Sequence, residues 1–425
     1  MTDPAALVDL TIESLGAQGD GIARHDGKGV FVAYALPGER VRARLSPKGG
    51  NAFTGRMQEI VTASPERVVP PCPLFARCGG CGLQHYSLPA YRAWKQQQVA
   101  TTLGQRGIDL PAGTGMVTVE AGNRRRAVFA ARKERGEIAF GFHAAMSDEI
   151  VPLDDCLLLT PGLSAGLGGL RQLAGVALAE KQAADIHVTD SLAGLDVLVT
   201  TDGDLPMGRR QAVIAAANAA GLARLSWQHG RRQPEPIVMA RVPQMRFGDI
   251  LVDLPIGSFL QPSAEGEAAL VAAVTTYVGK ARRIADLYAG CGTFSFPLAK
   301  IGRVLAVDAA KPAIAALAAA VNRAQLSGRV EGMARDLEQS PLPPPDLKPF
   351  EAVVFDPPRA GAEMQARMLA KSRVGKVVAV SCNPASFARD ARILLDAGFA
   401  LEKLAIVNQF VWSAHVELVA LLRRR

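Results

Sequence analysis

Four short stretches combine reactive residue types with a local pattern that would expose them. Ser381-Cys-Asn-Pro384 follows the apolar run Val377-Val-Ala-Val380, so Cys382 stands just beyond a buried strand. A thiol there either fills a core or, as its thiolate, attacks an electrophile. Asp356-Pro-Pro-Arg359 ends a second apolar run, Ala352-Val-Val-Phe355. Asp286-Leu-Tyr-Ala-Gly-Cys-Gly-Thr-Phe294 sets the glycines Gly290 and Gly292, then Thr293, between an expected strand and helix. Glu417, in His415-Val-Glu417, lies in an expected terminal strand and is the candidate general base.

These stretches suggest a nucleoside cofactor and a covalent step. Glycines in a strand-to-helix turn let a ligand approach the backbone. Asp308 closes the next strand at the spacing expected for a ribose diol. The three-glycine pyrophosphate pattern is absent, because Ser295 follows Thr293 and Phe294. Asp336, near the end of a third unit, is a candidate partner for an adenine amino group. Arg359 occupies the place where amino-methylating enzymes carry a stacking aromatic residue, which argues against an amino acceptor. Carbon 5 of uracil is a poor nucleophile until a thiolate adds to C6 and forms an enolate. Cys382 can supply that thiolate, Glu417 can remove the C5 proton, and Asn383 or Arg359 can donate to O4 or N3. The target nucleotide would have to leave its stack.

Six cysteines are present. Cys72, Cys78 and Cys81 form C-x5-C-x2-C, with Cys156 far downstream. Four soft ligands suit zinc or an iron–sulfur cluster, and spacing alone slightly favours zinc. Cys291 sits in the glycine turn, beside the expected cofactor site.

The elements around these residues suggest three domains. Residues 1–62 read as short strands with Gly turns, a small β-barrel whose Arg40, Arg42, Arg44 and Lys48 face outward. Residues 63–245 read as a central mixed α+β domain carrying the cysteines, with strands at Glu137-Ile-Ala-Phe-Gly141 and Leu195-Asp-Val-Leu-Val199. Residues 246–425 alternate strand, turn and helix, which implies an α/β, Rossmann-like parallel sheet with its ligands at the carboxyl ends of the strands. A length of 425 residues agrees with more than one core. The net charge of +8 suits a polyanionic partner. Basic clusters at Arg124–Arg126, Arg209–Arg210, Arg231–Arg232, Arg282–Arg283 and Arg423–Arg425 are either part of that footprint or solvated faces. No signal-like segment or membrane-length apolar run is seen, so a cytoplasmic protein is expected. No obligate protein partner is inferred.

The chain resembles the bacterial RNA uracil-5-methyltransferases, and more narrowly their iron–sulfur 23S rRNA branch. Ser-Cys-Asn-Pro384 matches the nucleophile motif, His-Val-Glu417 the base, and Phe259-Leu-Gln261 the Phe-x-Gln element. Gly16-Ala-Gln-Gly-Asp-Gly-Ile-Ala-Arg24 with Val30-Phe-Val-Ala-Tyr-Ala-Leu-Pro-Gly-Glu39 is similar to the TRAM RNA-binding barrel. The resemblance implies S-adenosylmethionine (SAM) held by Gln261, Tyr288, Asp308 and Asp356 beside the glycine turn. It further implies a 4Fe–4S cluster on Cys72, Cys78, Cys81 and Cys156, and 23S rRNA as the RNA partner. A tRNA substrate and a non-catalytic RNA-binding assembly factor are the alternatives. Ser263 stands where the family has Asn, Asp308 where it has Glu, and Asn408-Gln-Phe-Val-Trp-Ser413 where it has Asp-x-Phe-Pro-x-Thr.

Overall fold

Period-two alternation builds one kind of sheet in this chain and uninterrupted apolar runs build another. Both occur in the computed structural model, which describes residues 7–425. Residues 1–6, where the expected barrel begins, lie outside the described residues. Contacts group the chain into two compact units. One holds the described residues up to Thr101 with His143–Glu149 and Phe410–His415; the other holds Thr102–Phe142, Ile150–Gln409 and Val416–Arg425. No described helix is long and apolar enough to cross a membrane.

The first unit contains a six-stranded sheet ordered Leu7–Thr11, Arg40–Lys48, Ala52–Thr62, Lys28–Val32, Gly21–His25, Ser14–Leu15. Along Arg40–Lys48, Val41, Ala43 and Leu45 enter a core with Leu10, Val30 and Val32, while Arg40 and Arg44 face water. Arg42, expected on a free basic face, instead donates to Asp9 (2.9 Å) and Glu59 (3.0 Å). The helix Leu88–Gly104 begins after Ser87, as its capping hydroxyl suggests. From that helix Lys95 donates to the carbonyls of Phe410 (3.2 Å) and His415 (2.6 Å), and Tyr91 donates to that of Ser413 (2.9 Å).

The second unit holds a two-stranded sheet, Gln244–Phe247 with Ile250–Asp253, and two larger ones. A seven-stranded sheet runs Ile150–Pro152, Glu137–His143, Arg126–Glu134, Ala183–Ser191, Gly194–Thr201, Arg224–His229, Glu235–Met239. Both strands expected there are present, and Ala183–Ser191 and Arg126–Glu134 separate them. An eight-stranded sheet runs Val330–Ala334, Arg303–Asp308, Arg283–Leu287, Ala352–Phe355, Lys376–Ser381, Glu417–Arg424, Phe399–Asn408, Gly115–Thr118. Its first five strands are parallel, and the central three, Arg283–Leu287, Ala352–Phe355 and Lys376–Ser381, are nearly all buried, as helices on both faces require. Strand order reverses at Arg283–Leu287, which opens a crevice at the carboxyl ends. Glu417–Arg424 then pairs antiparallel to Lys376–Ser381, with Ser381 opposite Leu418. The start of one strand therefore meets the end of the other, and Cys382 and Glu417 emerge at the same sheet edge.

Two of the five basic clusters contribute internal ties, and two others make pairs at the surface. Arg125 is 7% exposed, and its guanidinium reaches Glu267 (2.6 Å) and the carbonyl of Gln261 (3.0 Å). Arg424 donates to the carbonyls of Val374, Ala397, Leu369, Ala370 and Ser372, so the C-terminal triplet is no frayed tail. Arg210 pairs with Glu235 and Arg232 with Asp204.

The Arg125–Glu267 pair pins the segment that carries Gln261. Removing the cation leaves a buried carboxylate uncompensated. Arg125→Met should lower unfolding free energy by about 3 kcal/mol in urea titration. Adding Glu267→Gln should recover part of that loss. An unchanged midpoint for the single variant would show that the pair contributes nothing net.

Candidate active site

Three strand ends and one strand start bring the expected catalytic residues together. Tyr288 follows Arg283–Leu287, Asp356 follows Ala352–Phe355, Cys382 follows Lys376–Ser381, and Glu417 opens Glu417–Arg424. Asn383 caps the helix Pro384–Asp396 by accepting the N–H of Ala385, and its own amide donates to the carbonyl of Arg359 (3.0 Å). Cys382 thus stands at a helix N-terminus, where the helix dipole favours a thiolate.

Behind the reactive groups runs a buried chain of amides. Gln261 Nε2 donates to Asp356 Oδ2 (3.0 Å). Gln409 Nε2 donates to Gln261 Oε1 (2.9 Å) and to Glu417 Oε1 (3.3 Å). Burial, then the Asp356 charge, pushes the Glu417 carboxyl well up, and the Gln409 amide opposes this. Burial pushes Asp356 up to about 7, against the Gln261 hydrogen bond. When ionised, a carboxyl whose pKa is raised is the stronger base toward a proton on carbon. Glu417 Oε2 is buried without a hydrogen-bond partner.

The Cys382 thiol is pushed up to about 11, by burial first, then by the charges of Glu417 and Asp356, with Arg359 opposing. While those two carboxyls hold protons, their charge is absent and burial acts nearly alone. Such a thiol is quiet until a substrate or the nearby cation favours its ionised form.

The cofactor crevice lies at the strand switch. Gly290 has φ 55°, and a Cβ there would meet no atom within 4 Å, so the space above it is open. Gly292 has φ 102°, and a Cβ would strike Phe296 at 2.6 Å. Thr293 completes the turn, and Cys291 is buried in it. Asp308 accepts the backbone N–H groups of Gly290 (2.8 Å) and Ala310 (2.7 Å), and each oxygen keeps a lone pair for a hydroxyl. The open space above Gly290 and the free lone pairs of Asp308 are compatible with the hydroxyls of a ribose. Asp336, expected to meet an adenine amino group, accepts the N–H groups of Glu338 (2.9 Å) and Gln339 (3.2 Å) through one oxygen. Tyr288 holds φ 61°, a conformation that costs a side-chain-bearing residue about 1–3 kcal/mol. Its hydroxyl is pushed up by burial and by Glu338, Asp390 and Asp336.

Two residues here were absent from the sequence reading of the site. Asp286 is fully buried, accepts from Ser295 (2.5 Å) and is pushed up to about 7 by burial. Gln409 enters the sequence analysis only within the segment 408–413 that departs from the family pattern. Its signal was an amide side chain placed one residue after an apolar strand, where packing alone would favour carbon.

Cys72, Cys78 and Cys81 share one loop in the first unit, and Cys156 belongs to the second. Burial pushes the Cys78 thiol up, and Cys72 adds to that. Among the described residues, no group of three or more His, Cys, Asp or Glu is gathered closely enough to hold a metal.

Residues 249–425 match the family model described as tRNA (Uracil-5-)-methyltransferase, and residues 6–46 match the TRAM domain. A Caulobacter vibrioides protein described as an RNA methyltransferase is 42% identical, covering 98% of this chain and 100% of its own. The 23S rRNA (uracil(1939)-C(5))-methyltransferase RlmD of Halomonas elongata is 33% identical over 97% of this chain and 89% of its own. Among solved structures, Pyrococcus abyssi tRNA (uracil-54, C5)-methyltransferase with S-adenosyl-L-homocysteine superposes with a TM-score of 0.75 at 22% identity. It covers 98% of this chain and 100% of its own, a likeness of fold.

The thiol environment has a direct consequence. Alkylation of Cys382 in the free protein, followed by peptide mass spectrometry, should rise about tenfold per pH unit over roughly pH 7 to 10. Arg359→Ala removes the cation that lowers the thiol's pKa, so it should slow the reaction at each of these pH values. A rate already flat below neutral pH would mean a preformed thiolate and a different electrostatic balance.

Proposed function

We propose a specific reaction for this chain, which belongs to the RNA uracil-5-methyltransferase family and is a SAM-dependent RNA methyltransferase. The acceptor is C5 of a uridine in 23S rRNA, Cys382 is the covalent nucleophile and Glu417 is the base. The observation that carries this reading is the antiparallel register of Ser381 with Leu418, which sets thiol and carboxyl at one sheet edge beside the cofactor crevice.

SAM, when bound, supplies the methyl group. Gln261, Tyr288, Asp308 and Asp356 would hold it, Gly290, Gly292 and Thr293 would admit its nucleoside, and Asp336 would meet its base. Cys382, ionised to its thiolate with its proton lost to solvent, adds through sulfur to C6 of the flipped uracil, and the electron pair moves to the O4 enolate. Arg359 and Asn383 stand where a donor can steady that charge. C5 then forms its bond to the methyl carbon as the sulfonium bond breaks. Glu417 takes the C5 proton, the ring recovers its double bond, and the C6–S bond breaks to return the Cys382 thiolate. The raised Glu417 pKa suits this proton transfer.

The relative from Halomonas, matched over nearly the whole chain, supports 23S rRNA as substrate. The family description and the Pyrococcus neighbour favour tRNA, so both RNAs enter the test. A cytoplasmic location follows from such a substrate. The proposal includes a 4Fe–4S cluster as a structural element on the resemblance to the iron–sulfur branch, since spacing alone would slightly favour zinc. Anaerobically purified protein should then be brown, with iron and sulfide bound; a colourless protein with stoichiometric zinc would remove the cluster.

Fluorine at C5 cannot leave as a proton. With SAM and 5-fluorouridine-substituted rRNA fragments, the wild type should form a complex that survives a denaturing gel, and Cys382→Ala should form none. Glu417→Gln should still add to ordinary uridine RNA and transfer methyl, but turn over about 100-fold or more slowly. Adducts with tRNA and none with rRNA would move the substrate; none with either would defeat the mechanism.

A further inference from the structure

We infer that Gln409 is a positioning residue for the proton-removal step, holding Glu417 in register with the cofactor-side pair Gln261–Asp356. This rests on the reading of Glu417 as base.

A carboxyl buried to 4% exposure has few ways to keep one orientation. Glu417 Oε1 accepts from the Gln409 amide at 3.3 Å. The same nitrogen donates to Gln261 Oε1 at 2.9 Å, and the other end of the Gln261 amide donates to Asp356. An amide has one donor end and one acceptor end, so fixing Gln261 on a carboxylate also fixes which face it offers Gln409. Gln409 can then give Glu417 only an N–H. The carboxyl is held by one oxygen, and Oε2 is left for the substrate proton.

The site is built around this side chain. Gln409 itself is 5% exposed. A Cβ on Gly266, in the first turn of the helix Ala264–Val278, would lie 2.2 Å from Gln409 Oε1 and 2.7 Å from Gln409 Cβ. Ser263, which caps that helix through the N–H of Gly266 (3.0 Å), lies against the same point, 2.7 Å from such a Cβ. Small residues at 263 and 266 therefore make the room that a long amide at 409 fills. Ser263 is one of the positions where the chain departs from the family pattern, and Gln409 sits within a second.

Two variants test the assignment. Gln409→Met keeps the volume and removes the donor; Gly266→Ala keeps the donor and displaces it. With 5-fluorouridine RNA and SAM, where no C5 proton is removed, both should form the covalent complex within about twofold of the wild-type rate. With ordinary uridine RNA, both should accumulate methylated covalent adduct, its release slowed by about tenfold or more. Asp356 and Cys382 are the titratable groups that act on Glu417 beside Gln409. Loss of the donor lets the carboxyl pKa rise, so the low-pH limb of adduct release should move to higher pH in Gln409→Met. Release at the wild-type rate would overturn the assignment. Equal loss in the fluorinated and ordinary reactions would overturn it too, since that marks packing damage. A wild type that forms no adduct on fluorinated RNA fails earlier, and takes the parent reading down with this one.

Discussion

The constraint on which this site depends is the burial of three carboxyl groups, Asp286, Asp356 and Glu417, in one part of a single sheet. Each loses water and gains little charge compensation, so each is pushed toward its protonated form. The surrounding donors are neutral: the Ser295 hydroxyl, the Gln261 amide and the Gln409 amide. A full cation beside Glu417 would hold it ionised but too weakly basic to take a proton from carbon. Neutral donors orient the group and leave its basicity high.

The rest of the local architecture serves that arrangement. The antiparallel turnaround of the last two strands delivers Glu417 to the edge where the parallel strands end. Arg125 grips Glu267 and the Gln261 carbonyl from the neighbouring sheet, so the amide chain is anchored at its backbone. Helix-capping Ser263 and the side-chain-free Gly266 leave the space that Gln409 occupies. In the other unit, Lys95 and Tyr91 hold the carbonyls of Phe410, Ser413 and His415. Burial pushes Lys95 down to about 6, so near neutral pH its grip is largely that of a hydrogen-bond donor.

Charge misleads when it is read without partners. The net charge of +8 suits an RNA enzyme, but two of the arginine clusters that suggested an RNA footprint bind carbonyls or carboxylates inside the protein. Arginine offers five donors on a long stem, and a chain with many carbonyl-rich loop ends uses them as ties. Surface charge therefore has to be counted after these internal contacts.

The sequence by itself determined the parts whose signal is local. The glycine turn at 289–293, the strand ends carrying Asp356 and Cys382, the buried parallel strands and the alternating strand Arg40–Lys48 were all legible, because each pattern spans fewer than a dozen residues. The terminal strand was legible too, displaced by two residues. Tertiary structure alone decided what those residues meet. Gly115–Thr118 joins the sheet as its eighth strand from nearly 300 residues away, and no local pattern announces that pairing. Gln409 meets Gln261 across 148 positions, and Arg125 meets Glu267 across 142. The physical reason is that apolar periodicity is written along the chain, whereas a hydrogen bond between two buried side chains is specified only when the sheet brings both to one place.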